Sequence, residues 1–523
     1  MKGSLLRKIR IVLSILFFIP LTFVLTDFSG LSSPDGVNNI TYFQFVPSLL
    51  KSLTIFSLAA TGFILVLVLT ILFGRVYCST ICPLGFLQDV INFISKKIKR
   101  KKKKFSFLPE HKILRWALLV VPVIMFIAGV ALGINLLDPY SIYGKIAANF
   151  FRPIIIGANN VFSSILESLQ IYSVYPYDVK IFNAVPFIVT LAFFLLAGYL
   201  SFTKGRLYCN TVCPVGTLLG FLSRFSFFKI AIDKSECSQC GICARGCKAS
   251  CINNDEMSVD MSRCVACYNC IDSCPAEVIT YKFQPVIKPN ANSRIDNSKR
   301  SFLISTGIYF ASFSSLLAQA KKQITISKPN TIPILRKNAI APPGAKSIER
   351  FVSRCTACQL CVNACPTQVL QPSFLEYGFT GMLQPRLENN AGFCNFDCVI
   401  CCSVCPTGAI VPLALPEKKL TQIGKAKFVK ENCIVHTQKT DCGACSEHCP
   451  TKAVRMIPYE KNLFLPEVRE EYCIGCGACE HACPTKPYKS IYVEGNTFHK
   501  LAKKNTELEQ KQKEVNVKEE FPF

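Results

Sequence analysis

The chain has 523 residues, of which half are hydrophobic and 30 are cysteine, and its formal net charge is +25. A disulfide framework is excluded as the main use of these cysteines, because such frameworks belong to small secreted domains with scattered cysteines, whereas most cysteines here are separated by two or three residues. Nucleic-acid binding is disfavoured as the reason for the charge, because the densest basic run, at 95–104, lies between two hydrophobic segments and acts there as a topology signal.

Four strongly apolar segments in the first two hundred residues are predicted to cross a membrane as helices, because each is about long enough for a hydrocarbon core of roughly 30 Å. They cover 9–26, 55–73, 113–134 and 182–202. Basic residues before the first segment and at 95–104 predict that these regions are cytoplasmic, so that the loops at 27–54 and 135–181 face the other side. A cleaved signal peptide is the alternative for the first segment, but no small-residue cleavage site follows it.

Two copies of one motif, GR-x-Y-C-x-T-x-C-P-x-G, follow the second and the fourth apolar segments. The half with four helices is therefore predicted to be a duplicated hairpin. Each motif contains a CxxxCP pair, and a three-residue gap on a helix puts both thiols on one face. The pairs, Cys78 with Cys82 and Cys209 with Cys213, could converge on one metal site or form redox-active thiols. The alternative is a structural turn in which a small buried cysteine ends each helix.

A tandem pair of CxxCxxCxxxC runs follows the second motif and predicts a cytoplasmic ferredoxin domain with two 4Fe-4S clusters. In such domains the fourth cysteine of each run binds the other cluster. The first cluster is assigned to Cys237, Cys240, Cys243 and Cys274, and the second to Cys264, Cys267, Cys270 and Cys247. Cys251 is either a replacement for Cys247 or a buried spare.

Four further runs in the last third of the chain predict four more 4Fe-4S clusters, which makes six in total. The ligands are assigned to Cys355, Cys358, Cys361, Cys365, Cys394, Cys398, Cys401, Cys405, Cys433, Cys442, Cys445, Cys449, Cys473, Cys476, Cys479 and Cys483. Cys402 is left over, because Cys401 has the three-residue gap to the final cysteine of its run. The fourth cysteines could be exchanged between the first and last runs and between the two middle runs, or sequentially.

A fifth apolar segment, at 302–320, separates the two groups of clusters and is more polar than the others. It follows NSKRSFLIS, which resembles a twin-arginine export signal with Lys299 in place of the first arginine. Either as an exported leader or as a plain helix, it places the C-terminal clusters on the far side of the membrane. Ala318-Gln319-Ala320 has the form of a processing site, so cleavage after Ala320 stays open.

These assignments predict a multi-domain protein with an α-helical membrane domain of four helices plus a fifth, joined to α+β domains of the bacterial ferredoxin type. The predicted divisions are a membrane domain at 1–230, a cytoplasmic two-cluster domain at 231–285, a linker with the fifth helix at 286–338, an extracytoplasmic four-cluster domain at 339–490 and a polar tail at 491–523.

No CxxCH motif occurs, which excludes covalent c-type haem, and no GxGxxG motif indicates a dinucleotide site. The chain is therefore predicted to move single electrons. A lipid-soluble quinone is the natural carrier across the gap between the two groups of clusters. Asp138 and Tyr140, just past the third segment, are candidate polar lining for it, although an ordinary helix-end turn is the simpler interpretation.

The paired CxxxCP motifs, the four helices and the two-cluster domain together resemble the NapH type of membrane quinol dehydrogenase component, and are similar to the membrane part of the nitrous-oxide reductase regulator family. The C-terminal half resembles the periplasmic NapG or MauM type, so the chain resembles both partners fused. The resemblance implies a multi-pass protein of the bacterial cytoplasmic membrane that oxidises quinol from the quinone pool. It further implies a periplasmic reductase or cytochrome as acceptor. A regulatory or maturation factor that reduces a metal centre in a partner enzyme is the alternative.

Overall fold

The computed structural model describes residues 3–54, 61–98, 105–178, 184–284, 331–460 and 462–504. The predicted fifth segment at 302–320, the signal around Lys299 and the end of the tail lie outside these residues. The described N-terminal half is helical, and its helices are α1 (Gly3–Thr26), α2 (Pro34–Tyr42), α3 (Phe45–Thr54), α4 (Gly62–Phe73), α5 (Tyr77–Thr80), α6 (Pro83–Ile98), α7 (Lys112–Ile127), α8 (Leu132–Leu137), α9 (Pro139–Ile146), α10 (Arg152–Ser168), α11 (Ala184–Lys204), α12 (Leu207–Thr211) and α13 (Pro214–Ser223).

Two of these helices, α1 and α11, are long and apolar enough to cross a membrane. Only a third or less of either apolar stretch is buried inside the protein, and side chains such as Val12, Ile19, Ile188 and Leu195 are more than 60% exposed. A helix in the core of a soluble protein hides its apolar face, whereas a lipid-facing helix leaves it outward. The composition and the exposure of these two helices thus support membrane association.

The other two predicted crossings are shorter or broken. In the second, α4 occupies Gly62–Phe73, and residues 55–60 lie outside the described part. The prediction of one continuous helix over 113–134 is wrong, because α7 ends at Ile127 and α8 starts at Leu132. Gly129, with φ +84°, turns the chain where most residues would be strained. The structure therefore does not establish four full-length crossings.

The N-terminal cysteine-rich unit is a small α+β fold. Strand β1 (Phe228–Ile232) pairs antiparallel with β4 (Ile279–Phe283), and the short β2 (Ile252–Asn253) pairs with β3 (Ser258–Val259). Between the strands lie α14 (Ile242–Gly246) and α15 (Asn269–Ser273). Because β1 begins at Phe228, this unit starts before the predicted boundary at residue 231.

The C-terminal cysteine-rich unit is built from three antiparallel pairs of strands with short helices between them. The strands are β5 (Leu370–Pro372), β6 (Pro385–Leu387), β7 (Thr421–Phe428), β8 (Val454–Pro458), β9 (Phe464–Val468) and β10 (Ile491–Leu501), paired β5–β6, β7–β10 and β8–β9. The helices are α16 (Ile348–Arg354), α17 (Leu360–Asn363), α18 (Ile400–Ser403), α19 (Leu415–Leu420), α20 (Ile434–Thr437), α21 (Ala444–Glu447) and α22 (Ala478–Ala482).

This unit extends past both ends of its predicted range, 339–490. At its start, the backbone of Ile332 donates to Asn432 Oδ1 at 2.7 Å. At its end, β10 pairs with β7 and buries Ile491 and Val493. Residues 491–501 are thus part of a sheet, where alternation of apolar and polar residues buries one face, and do not belong to the polar tail predicted at 491–523.

The two cysteine-rich units contact opposite ends of α1. Near the start of α1, Arg7 pairs with Asp272 of the N-terminal unit. Near its end, the carbonyl of Leu25 accepts from Asn363 Nδ2 of the C-terminal unit at 2.6 Å. A helix of 24 residues is about 36 Å long, so the helical half separates the two units by about the thickness of a bilayer core.

His499, on β10, is expected to make the stability of the C-terminal unit dependent on pH. Burial lowers the pKa of His499 to about 4, and neither ring nitrogen has a hydrogen-bond partner in the described structure. Between about pH 6.5 and pH 4 the unfolded chain binds the proton more readily, so stability should fall as the pH falls through this window, by up to about 3 kcal/mol. Thermal unfolding of wild type and His499→Phe across this window tests the expectation, and equal pH slopes would contradict it.

Candidate metal centres

In the N-terminal unit, one cavity is lined by Cys237, Cys240, Cys243 and Cys274. These are the four residues assigned to one cluster from their spacing. Cys237 and Cys240 come from the turn that leads into α14, Cys243 lies in its first turn, and Cys274 directly follows α15. The backbone folds this way because Gly241 adopts φ +67° at the start of α14, a conformation that glycine reaches without strain.

A second set in the same unit consists of Cys264, Cys267, Cys270 and Cys247. Burial raises the pKa of Cys270, and the neighbouring charges of Cys267, Cys264 and Cys247, together with that of Cys243 from the first set, raise it further. The thiols of this set therefore lie close together. Cys251 Sγ lies 3.5 Å from Cys247 Sγ. A hydrogen bond from the Cys251 thiol lowers the pKa of Cys247 to about 6. The two thiols stand side by side at this set, and Cys247 as its fourth ligand stays a prediction.

In the C-terminal unit, the first two runs exchange their fourth cysteines. One cavity is lined by Cys355, Cys358, Cys361 and Cys405. A second is lined by Cys365, Cys394, Cys398 and Cys401. Cys402, buried with its Sγ 3.2 Å from the carbonyl oxygen of Pro343, lines neither cavity.

The last two runs are joined in the same way. Burial raises the pKa of Cys445 to about 12, and the thiols that raise it further are those of Cys442, Cys483 and Cys433. Burial likewise raises the pKa of Cys476 to about 12, with Cys473 and Cys449 among its charged neighbours; Cys479 also neighbours Cys473, Cys476 and Cys449. Two schemes for exchanging the fourth cysteines were left open by the spacing. The structure brings together the thiols of the sequential scheme, in which the first run pairs with the second and the third with the fourth.

The four C-terminal sets form a row that starts at the helical half. The set containing Cys358 lies against the helices, where the backbone of Gly144 in α9 packs closely on the backbone of Cys358. A Cβ added to Gly144 would lie 2.3 Å from the carbonyl oxygen of Cys358. The next two sets are linked by the backbone, where Cys394 N–H donates to Cys476 O at 2.9 Å. The set of Cys433 is the far end of the row.

The four remaining thiols, in the two CxxxCP motifs, converge inside the helical half. Cys78, Cys82, Cys209 and Cys213 are all buried. Burial raises the pKa of Cys82 and of Cys213, and the charges of the other motif cysteines raise both further. Within the described residues, no three His, Cys, Asp or Glu side chains are arranged to hold a single metal ion.

Each motif's arginine reaches across to the other motif. Arg75 donates to Asn210 Oδ1 at 2.8 Å and to the carbonyl oxygen of Cys209 at 3.0 Å. Arg206 in turn donates to the carbonyl oxygen of Cys78 at 2.5 Å and to Asp89 Oδ1 at 2.9 Å. Both arginine side chains are fully buried. Neither arginine is among the predicted site residues, although both stand at the same place in their copies of the motif.

A cavity also lies between the ends of α7 and α11 and the N-terminal unit; we call it the interface pocket. It is lined by Leu108, Pro109, Glu110, His111, Leu114, Arg115, Lys204, Leu207, Asn210, Thr211, Ala249, Ser250 and Arg263. Arg263 directly precedes Cys264, and Ser250 N–H donates to Cys247 O at 3.0 Å. The pocket therefore borders the second cysteine set. Periodicity and motif searches gave no sign of it, because its residues come from four separate parts of the chain.

Asp138 and Tyr140 lie elsewhere, between the motif cysteines and the C-terminal unit. Burial raises the pKa of Asp138 to about 6, while hydrogen bonds from Ser141 oppose the rise. Its carboxylate accepts from Ser141 N–H at 2.9 Å as the N-cap of α9. The helix-end interpretation of Asp138 therefore matches the geometry.

Comparisons with known families match several of the cysteine runs to 4Fe-4S binding domains. A 4Fe-4S binding domain matches residues 257–280 and 348–371, and a 4Fe-4S dicluster domain matches residues 440–486. The chain carries ferredoxin-type 4Fe-4S domains. Another 4Fe-4S binding domain matches residues 56–101 and 185–233, which contain the two CxxxCP motifs of this ferredoxin-type protein. The cavities lined by four thiols fit such clusters.

Several curated proteins are similar to parts of this ferredoxin-type chain. The ferredoxin-type protein NapF of Escherichia coli is 27% identical over 26% of this chain and 76% of NapF. The methylamine utilization ferredoxin-type protein MauM of Methylophilus methylotrophus is 31% identical over 27% of this chain and 65% of MauM. The regulatory protein NosR of Stutzerimonas stutzeri is 25% identical over 35% of this chain and 21% of NosR.

The chain spans 55% of the length of another relative, an uncharacterised protein of Methanocaldococcus jannaschii that is 27% identical over 35% of this chain. No solved structure matches the chain. The domain matches and these relatives show an iron–sulfur electron-transfer protein related to NapF, MauM and NosR. The prediction of ferredoxin-type 4Fe-4S domains is confirmed.

Proposed function

We propose that this protein is a membrane-bound relay that oxidises quinol and delivers the electrons to an acceptor across the membrane. The observation that carries the proposal is the placement of two ferredoxin-type units at opposite ends of α1, a helix with an exposed apolar face. When bound, 4Fe-4S clusters supply single-electron redox chemistry at each unit. We assign six of them to the 24 cysteines of the ferredoxin-type runs.

The proposed orientation puts the N-terminal unit in the cytoplasm and the C-terminal unit in the periplasm of a bacterium. Arg7 and Arg10 lie at the end of α1 that contacts the N-terminal unit, and positive charge favours the cytoplasmic side. The acceptor, a periplasmic reductase or cytochrome, would then dock near Cys433, at the far end of the row of C-terminal sets. The NapH-type fusion is our interpretation of this arrangement.

The interface pocket suits a quinol head group. Its wall is apolar at Leu108, Leu114 and Leu207, as a hydrophobic ring requires. Oxidation of quinol also releases two protons, and Glu110 and His111 offer a carboxylate and an imidazole to receive them. Since the pocket borders the cysteine set of Cys264, the quinol would react beside a site that can take its electrons.

Removing both proton-accepting side chains, with Glu110→Gln and His111→Gln together, should slow reduction of the iron–sulfur clusters by a menaquinol analogue by about 100-fold. Stopped-flow absorbance of the purified full chain measures that rate. The matched control is Glu167→Gln, on an exposed face of α10, which should leave the rate unchanged. A double variant that reacts at the wild-type rate would remove the interface pocket from the proposal.

The similarity to the regulatory protein NosR favours a second candidate, in which the chain reduces a metal centre in a partner enzyme and has no respiratory role. The two candidates differ in their electron source. If no menaquinol or ubiquinol analogue reduces any cluster of the wild-type protein, quinol oxidation fails and the regulatory or maturation role becomes the better proposal.

A further inference from the structure

We infer that Cys78, Cys82, Cys209 and Cys213 together hold one iron–sulfur cluster, shared by the two copies of the CxxxCP motif. The inference adds a seventh centre to the six assigned to the ferredoxin-type runs, and its role as a relay rests on the proposed function. A 4Fe-4S binding domain matches each copy separately, but each copy supplies only two cysteines, whereas a cubane or a two-iron cluster takes four.

The first argument is convergence. A single nitrogen, Arg75 Nη2, lies 3.8 Å from Cys78 Sγ and 3.0 Å from the carbonyl oxygen of Cys209. Arg206 makes the reciprocal contact with the carbonyl oxygen of Cys78. The two motifs therefore interlock with approximate two-fold symmetry, and their thiols lie near one another. Cys82 and Cys213 each interact electrostatically with the thiols of both Cys78 and Cys209.

The second argument is charge. Arg75 is fully buried and forms no salt bridge with any described carboxylate; besides Cys78 Sγ, its partners are Asn210 Oδ1 and the carbonyl oxygens of Ser262 and Cys209. An uncompensated charge in a protein interior is strongly unfavourable. Four thiolates around an iron–sulfur core carry a net charge of about −2. Such a group would supply the negative charge that this buried guanidinium lacks.

A cluster of charged side chains around Asp89 lies next to the two motifs. Asp89 is the carboxylate partner of Arg206, and it also pairs with Arg10 and Lys248. Three buried or nearly buried cations thus share one carboxylate. Of these cations, Arg206 lies near the thiols of Cys209 and Cys78, as Arg75 does. A buried pocket of cysteines used only for packing needs no such pair of buried positive charges.

The third argument comes from the helix ends. Cys213 is the N-cap of α13, and its Sγ accepts from Gly216 N–H at 3.3 Å. Cys82 stands in the same position before α6, where Gly85 N–H makes the equivalent bond. Backbone N–H groups at the N-terminus of a helix favour negative charge on a sulfur. Both CysPro thiols are therefore held as anionic ligands would be.

The position of this centre gives it a role in the relay. On one side Arg75 donates to the carbonyl oxygen of Ser262, two residues before Cys264 of the N-terminal unit. On the other side the Tyr208 hydroxyl donates to Leu137 O at 3.3 Å, beside the helix end that leads to Gly144 and the C-terminal unit. A cluster here would divide the gap between the two ferredoxin-type units.

Single serine substitutions of the four cysteines, in the purified full chain, test the inference. Each of Cys78→Ser, Cys82→Ser, Cys209→Ser and Cys213→Ser should lower iron by the same amount, about two or four atoms per chain depending on the cluster type. A double variant with one change in each copy should lose no more iron than a single variant. Cys402→Ser, another buried cysteine outside every ligand set, is the matched control and should lose none.

Iron, sulfide, zinc and copper analysis with Mössbauer spectroscopy gives a readout that does not depend on quinol. Three results would each overturn the inference. They are unchanged iron in all four variants, zinc or copper bound in place of iron and sulfide, and a disulfide between the motif cysteines. A cysteine variant that also loses the signals of the other clusters has misfolded. In that case Arg75→Gln, which keeps all four thiols but removes the buried positive charge, is the second test. It should shift the midpoint potential of one centre only. An unshifted Arg75→Gln protein would count against the inference. If the iron loss is seen but quinol reduces no cluster, the shared centre stands and the proposed function fails.

Discussion

Replacing Gly85 or Gly216 with alanine should destabilise the centre of the helical half by about 3 kcal/mol or more for either change. A Cβ on Gly85 would lie 2.3 Å from the carbonyl oxygen of Cys78 and 2.7 Å from Arg206 Nη1. A Cβ on Gly216 would lie 2.1 Å from the carbonyl oxygen of Cys209 and 2.9 Å from Arg75 Nη2. In both cases the new methyl group displaces backbone and the buried arginine that joins the two motifs.

Thermal unfolding of the purified protein in detergent, together with its iron content, measures this effect. Gly198→Ala is the matched control, since Gly198 also lies in a helix but nothing stands within 4 Å of the added Cβ. That change should be neutral or stabilising by up to about 1 kcal/mol, as alanine is the better helix former. If Gly85→Ala and Gly216→Ala unfold like Gly198→Ala, the interlocked arrangement of the two motifs is wrong.

Cys405→Ser should remove the cluster held by Cys355, Cys358 and Cys361, although Cys405 stands in the next run of the sequence. The cavity lined by Cys355, Cys358 and Cys361 has Cys405 as its fourth cysteine. Loss of one cubane lowers the iron content by about four atoms per chain. Iron and acid-labile sulfide analysis, supported by EPR of the reduced protein, measures this loss.

Double variants test the pairing itself. Adding Cys358→Ser to Cys405→Ser should cost no further iron, because both residues serve one site, whereas adding Cys398→Ser should double the loss. The opposite pattern would mean that each run keeps its own fourth cysteine. Cys402→Ser is again the control, because this neighbouring buried thiol lies outside both cavities.

The cysteine spacing predicted which residues group within each run, because three ligands of one cluster lie within a single loop. It could not predict the exchange of Cys365 and Cys405, since the fourth ligand arrives from a run about 40 residues away and its partner depends on how the strands pair. The spacing also could not predict whether Cys78 and Cys209 lie close together in the fold, for the same reason. Only the packing of two distant motifs decides whether their thiols meet.

Hydrophobic length predicted α1 and α11 well, because each contains an uncharged apolar stretch, at 11–26 in α1 and at 184–203 in α11, with basic residues on its cytoplasmic side as predicted from the sequence. The same criterion predicted a helix that continues to residue 134, whereas α7 ends at Ile127. The chain turns at Gly129, although the sequence around it is still apolar. The criterion also left 27–54 and 135–181 as loops, although most of both is helical. All of those helices except α10 have ten residues or fewer, and short helices depend on contacts with the rest of the fold. The strand at Ile491–Leu501 was missed because polar and charged residues interrupt its apolar pattern, although one of them, Glu494, is buried.

The contact between the helical half and the C-terminal unit combines a shared apolar core with hydrogen bonds from amide side chains to main-chain carbonyl groups. Asn38 donates to Ser403 O at 3.2 Å, Asn135 to Met382 O at 2.7 Å, and Asn363 to Leu25 O. Partly polar interfaces of this kind are typical of partners that associate reversibly. Joining both in one chain raises their effective concentration to the millimolar range, so a weak contact suffices to keep them together.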